Sequence, residues 1–103
     1  MLLDEKSIPV GTPVRFRFTV DVNAKGSAVL AAAWSGGGQT GGHDQCTAAP
    51  GGFCTASLTP GMKGLLRVVI DMTSEADKGT LEIEPFDTSI PFQGDQTWLY
   101  VVE

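Results

Sequence analysis

The chain holds one histidine, one tyrosine and two cysteines, and charged residues make up only 18% of it, against the roughly 25% usual in globular domains. Each scarcity excludes something. Seven basic residues stand against twelve acidic ones, a net charge of −5, with no basic cluster. The electrostatic footprint of nucleic-acid binding is therefore missing. No run approaches the roughly 18 apolar residues of a membrane-spanning helix, so no membrane partner is expected. The opening Met1-Leu2-Leu3-Asp4-Glu5 has neither a basic start nor an extended apolar stretch, and no secretory signal is expected. On that reading the chain either acts without export through a signal peptide or derives from a larger exported protein.

Glycine is plentiful, with 13 in 103 residues, which favours a loop-rich β protein over a helical one. The length suits a single domain over residues 1–103, burying roughly 65% of its unfolded surface around one core. Residues 14–22 carry the clearest pattern: Val14, Phe16, Phe18, Val20 and Val22 alternate with Arg15, Arg17, Thr19 and Asp21. Period two predicts a half-buried strand with its apolar face inward. Residues 27–34 follow at hairpin distance. Their three consecutive alanines also suit a helix, but eight residues between glycines favour a strand. Phe53–Leu58 reads as a short strand. Residues 64–72 read as a strand with both faces partly apolar, as in a central or partly covered strand. Residues 80–84 alternate, with Leu81 and Ile83 inward, and residues 97–102 form a final strand with Trp98 and Tyr100 on one side. Six strands with glycine or proline at most junctions predict an all-β fold, a small antiparallel sandwich or a jelly-roll-like barrel. Residues 36–52, with seven glycines in seventeen positions, read as one long loop, and residues 86–96 as a second connection anchored by Ile90 and Phe92.

Few residues could carry chemistry. Cys46 and Cys54 are spaced for a local disulfide that ties down the glycine-rich segment, with free thiols as the alternative. His43 and Asp44 beside these cysteines could be imagined as a metal cluster, but the spacing fits no familiar zinc pattern. Ser57, His43 and Asp44 name the members of a hydrolase triad, yet adjacent His and Asp side chains do not face each other in an extended chain, and no G-x-S-x-G elbow is present. Asp71, Glu75 and Asp77 lack the calcium-loop pattern and read as a solvated turn. Trp34, Trp98, Tyr100, Phe86 and Phe92 could form a stacking platform for carbohydrate or could fill the core. No catalytic residue, cofactor or metal is assigned.

Two resemblances bear on function. Val10-Gly11-Thr12-Pro13-Val14-Arg15-Phe16-Arg17-Phe18, then Gly64-Leu65-Leu66-Arg67-Val68-Val69-Ile70-Asp71 and Gly79-Thr80-Leu81-Glu82-Ile83, resemble as a strand pattern the small immunoglobulin-like or jelly-roll accessory proteins of tailed-phage virions. That resemblance implies a structural virion component, made in the host cytoplasm, with other protein subunits as partners. The segment from Ser35 to Cys54 resembles β-sandwich modules appended to secreted bacterial peptidases. Those modules carry acidic metal-binding residues after the second strand, where this chain has Gly36-Gly37-Gly38-Gln39, so no ligand set carries over.

The expectation is a non-enzymatic structural or assembly protein, such as a capsid, decoration or neck/tail component. The alternative is a ligand- or carbohydrate-binding sandwich module of a secreted bacterial protein, working outside the cell. Charge supports the first. Residues 1–70 hold six basic and four acidic residues, a net of +2; residues 71–103 hold one and eight, a net of −7. Two such poles can orient copies against one another. Leu2, Leu3, Trp98 and Tyr100 are the candidate interface, and both chain ends are expected to be pinned in a sheet or by neighbours.

Overall fold

Alternation along residues 14–20 becomes a strand because every second side chain, Val14, Phe16, Phe18 and Val20, has an interior to enter. In a computed structural model, which describes residues 7–36, 39–84 and 88–103, this strand is β1 (Val14–Val20). Seven more follow: β2 (Ala28–Gly36), β3 (Gln39–Ala48), β4 (Phe53–Leu58), β5 (Gly64–Asp71), β6 (Lys78–Glu84), β7 (Thr88–Gln93) and β8 (Gln96–Val102). They form two four-stranded antiparallel sheets, ordered β4-β1-β6-β7 and β3-β2-β5-β8, around one apolar cluster. Among the described residues no ladder joins the two sheets, so the fold is a sandwich and not a barrel. The helical option for residues 27–34 is overturned, since β2 pairs with β3 on one side and β5 on the other.

Both inner faces follow the period of two. Phe16, Phe18, Leu66, Val68, Ile70, Leu81 and Ile83 are all at most 1% exposed, in one contiguous core. Aromatic rings carry the contact from one sheet to the other. The Phe92 ring lies 6.1 Å from Phe18 within its own sheet and 5.9 Å, edge-on, from Trp98 of the opposite one. Gly79 makes room for it: a Cβ there would sit 2.6 Å from the Phe92 ring and 2.5 Å from the Thr19 carbonyl oxygen. The outer edge of β8 is covered by the chain's own start. Ile8 is fully buried, donates its N–H to Val101 O at 2.8 Å, and accepts from Glu103 N at 2.9 Å. Residues 8–103 are thus pinned at both ends, whereas Leu2 and Leu3 lie outside the described residues.

Four expectations need correction. The fold has eight strands where the sequence pattern predicts six. The segment that reads as a glycine-rich loop contains β3, a ten-residue edge strand whose inward positions are Gly42, Asp44, Cys46 and Ala48. At the margin of a sandwich small side chains suffice, so the alternation carries almost no apolar signal. Strand β7 is hidden by Pro91, which an edge strand tolerates because its N–H side faces no neighbour. Finally, β1 stops at Val20, and Val22 is 73% exposed. The Asp21 carboxylate accepts from Asn23 N, and Ala24 N donates to Asp21 O, turning the chain before Val22 can reach the interior.

Truncating Phe18 to alanine removes a ring that touches Phe92 at the centre of the core. The expected cost is about 3–5 kcal/mol, read from urea unfolding of the Phe18→Ala chain beside the parent.

Candidate functional site

The expected disulfide is present. Cys46 and Cys54 are bonded, with their Cα atoms 5.8 Å apart. Its role differs from the expected one. Cys46 lies on β3, opposite Leu30, and Cys54 on β4, opposite Phe18, so the bond staples the edge strand of one sheet to the edge strand of the other. Asp44 reinforces the same seam two residues away: its Oδ2 accepts from Ser57 N of β4 at 2.9 Å, while Oδ1 accepts from Gln45 N. A carboxylate receiving two backbone N–H groups satisfies edge amides that would otherwise face solvent alone.

This geometry disposes of the imagined reactive clusters. Both cysteines are consumed by the disulfide. His43 is exposed on the outward side of β3, opposite Ala33, while Asp44 turns the other way into the seam. Ser57 meets Asp44 through its backbone N–H and not through its hydroxyl. Among the described residues no group of three or more His, Cys, Asp or Glu side chains converges as a metal site would require. Asp71, Glu75 and Asp77 are not brought together: Asp71 is exposed at the end of β5, Glu75 lies in the exposed turn, and Asp77 is 3% exposed.

Asp77 is the residue whose role the sequence conceals. Its Oδ1 accepts from Lys25 N in the β1–β2 turn at 2.9 Å, its N–H donates to Ser74 O, and its carbonyl accepts from Gly94 N in the β7–β8 turn. Three connections at one end of the sandwich meet on a single aspartate. Gly94 adopts φ 71°, a conformation glycine takes without strain, and thereby aims its N–H at Asp77. Beside it lies a cleft of about 170 Å³ lined by Asp21, Asn23, Ala24, Ala76, Asp77 and Lys78. Asp77 Oδ2 has no hydrogen-bond partner among the described residues.

The aromatic platform is also overturned. Trp34, Phe92, Trp98 and Tyr100 are all buried, and Phe86 lies outside the described residues. Trp98 and Tyr100, expected at an interface, are 2% and 1% exposed because β8 turns both into the core beside Val68 and Leu66. Among the described aromatic residues Phe53 alone is exposed, with the Arg17 guanidinium 4.2 Å above its ring.

What the structure does expose is a contrast between two outer faces. Outside the β4-β1-β6-β7 sheet, Arg15 stands opposite Glu84 and Arg17 opposite Glu82, among Thr55, Ser57 and Thr80. Outside the β3-β2-β5-β8 sheet, the rows read Ser35-Leu65-Val101, Ala33-Arg67-Leu99 and Ala31-Val69-Thr97, with Val29 beside Asp71. The first face carries charges and hydroxyls, with Arg15 and Glu84 4.0 Å apart and Arg17 lying over the exposed Phe53 ring. The second is apolar mainly on β2 and β8, while Arg67 and Asp71 stand among the outward residues of β5 and the exposed His43, Gln45 and Thr47 make its β3 margin polar. Comparison with family models, with curated proteins and with solved structures yields no match for the chain.

Two measurements check this reading of the residues. Replacing both cysteines by alanine is expected to cost about 2–3 kcal/mol, the loop-closure entropy of about nine residues, seen as a lower urea midpoint without loss of the β circular-dichroism signal. Asp77→Ala strands a part-buried Lys25 N–H and is expected to cost about 1–3 kcal/mol in the same assay, whereas Glu75→Ala, in the exposed turn, leaves the midpoint unchanged.

Proposed function

We propose that this chain is a structural subunit that acts by packing against other protein subunits and catalyses no reaction. The observation that carries this reading is the outer surface of β2, β5 and β8, where Leu65 is exposed and Val69, Leu99 and Val101 are half-buried, with Arg67 and Asp71 the charges among them. Exposed faces of this kind mark protein contacts more often than they decorate monomers. The finer proposal is a component of a tailed-phage virion, drawn from the strand-pattern resemblance of β1, β5 and β6 to accessory proteins of such particles.

The Cys46–Cys54 bond favours a second reading, a binding module of a secreted bacterial protein, because disulfides persist in oxidising surroundings. In its carbohydrate-binding form that reading loses its stacking surface, since four of the five aromatic residues proposed for it are buried.

The experiment is the mass of the native particle. The full chain, tagged and isolated from the cells that make it, is expected in an assembly of many copies by mass photometry. Deleting residues 1–5 should lower its copy number there while the isolated chain keeps its β circular-dichroism spectrum. A full-length chain that is strictly monomeric at high concentration and binds a glycan overturns the reading in favour of the module.

A further inference from the structure

Edges and faces are the two ways a sandwich can meet another copy, and the edges here are occupied. The β3 and β4 edges are stapled to one another, residues 8–10 lie along β8, and Pro91 interrupts the free side of β7. Of the faces, one sets opposite charges in the same rows: Arg15 reaches Glu84 at 4.0 Å, and Arg17, stacked over Phe53, stands in register with Glu82. The other face offers Ala31, Val69 and Leu99 as a shallow apolar floor, half-buried by their own neighbours.

Two charges interrupt that floor on β5, and their spacing is informative. Arg67 and Asp71 point outward on either side of Val69, two residues before and two after it. At about 3.4 Å per residue each lies roughly 7 Å from Val69, and they stand too far apart to pair within one chain. Among the described residues neither has a salt-bridge partner. Opposite charges at equal distances from a pivot are self-complementary under one symmetry operation.

We infer that this face binds a second copy of the chain across a two-fold axis that crosses β5 at Val69 and sets Arg67 of each copy against Asp71 of the other. An axis perpendicular to β5 and lying between the faces runs the two β5 strands antiparallel, within the roughly 30° by which aligned sheets pack. An axis parallel to β5 would set Arg67 against Arg67 and Asp71 against Asp71, which repels. The paired region spans roughly 400 Å² of flat face per copy from strand spacing and rise, below the about 800 Å² of a standard interface. The contact is therefore weak and concentration-dependent alone, and is reinforced where an assembly holds the copies together. This inference rests on the reading of the chain as a subunit and names the surface and the partner.

Sedimentation velocity of the full-length chain, from about 10 μM to about 1 mM, tests it. The parent is expected to shift from monomer toward dimer across that range. Arg67→Glu and Asp71→Arg should each raise the dissociation constant about tenfold or more, since each places like charges opposite in both halves of the contact. An equimolar mixture of these two variants should recover dimer. In the mixed pair each substituted side chain faces the other, now with opposite charges, while the unchanged Asp71 of one chain meets the unchanged Arg67 of its partner. Ala31→Glu, in the row of Val69, should also weaken the dimer, and Thr55→Glu on the opposite outer face should not; circular dichroism of each variant checks that it is folded. A mixture that recovers nothing overturns the two-fold pairing. A parent that dimerises equally well with all three face substitutions overturns the surface and leaves the subunit reading standing. A parent that is monomeric throughout overturns this inference, while the subunit reading is decided separately by the native particle.

Discussion

Two four-stranded sheets have four edges, and every unpaired edge is a row of N–H and C=O groups able to recruit another strand. Much of what is unusual in this chain answers that constraint. The disulfide and Asp44 join β3 to β4, so two edges face each other across a covalent seam. The chain's start returns to β8, where fully buried Ile8 pairs in parallel with Val102. Proline at position 91 deprives β7 of a donor. Of these devices Ile8 also adds a fully buried side chain to the core. They direct any association toward the faces, where side chains and not backbone groups decide which partner fits.

That constraint gives meaning to a composition that is merely low in charge. Most of the charge on the strands' outer faces lies on the β4-β1-β6-β7 sheet, where Arg15 pairs with Glu84 and Arg17 stands in register with Glu82. Exposed pairs of this kind contribute little stability, on the order of 0–1 kcal/mol, but they keep a face wet. The β5 strand of the other sheet puts only Arg67 and Asp71 among its outward residues, beside alanines, valines and leucines. The division is by sheet. It is not the division by chain halves that the running charge suggests, because antiparallel pairing folds the basic residues of β1 directly against the acidic residues of β6.

How much of this is legible in the sequence follows the same physics. Strands whose inward residues are large, such as β1 with Phe16 and Phe18 or β5 with Leu66, Val68 and Ile70, announce themselves because the core selects bulky side chains at period two. The partly apolar second face of residues 64–72 is visible too, and of its two explanations, a central strand or a partly covered one, the sheet order bears out the first, since β5 pairs with β2 and β8. Strand β3 is not legible because its inward positions hold Gly42, Asp44 and Cys46, which a marginal strand accommodates but which resemble a loop. The same physics hides Asp77. An aspartate in a run of polar turn residues looks solvated until Lys25, fifty-two positions earlier, and Gly94 arrive to bond it. Trp98 and Tyr100 fail as interface residues for the opposite reason: large aromatics near a chain end suit a partner, but the chain's own opposite sheet takes them first.

The seam between β3 and β4 also bears on where the chain can fold. Strand β4 is held by β1 over six register pairs, from Val14 with Leu58 to Thr19 with Phe53, and β3 is held by β2 along its length. Neither ladder passes through the sulfur atoms. Leu30 and Phe18, which stand opposite the two cysteines, are buried by sheet packing in their own right. A disulfide that closes a short loop acts mainly by restricting the unfolded chain, so it reinforces a seam that strand pairing and Asp44 already align. Strand pairing and the sulfur bridge are thus separate contributions to the seam. The architecture is compatible with synthesis in a reducing compartment and later closure of the bond outside it, as well as with folding in an oxidising one. The disulfide therefore bears on redox setting alone, and by itself it does not separate a virion subunit from an exported module.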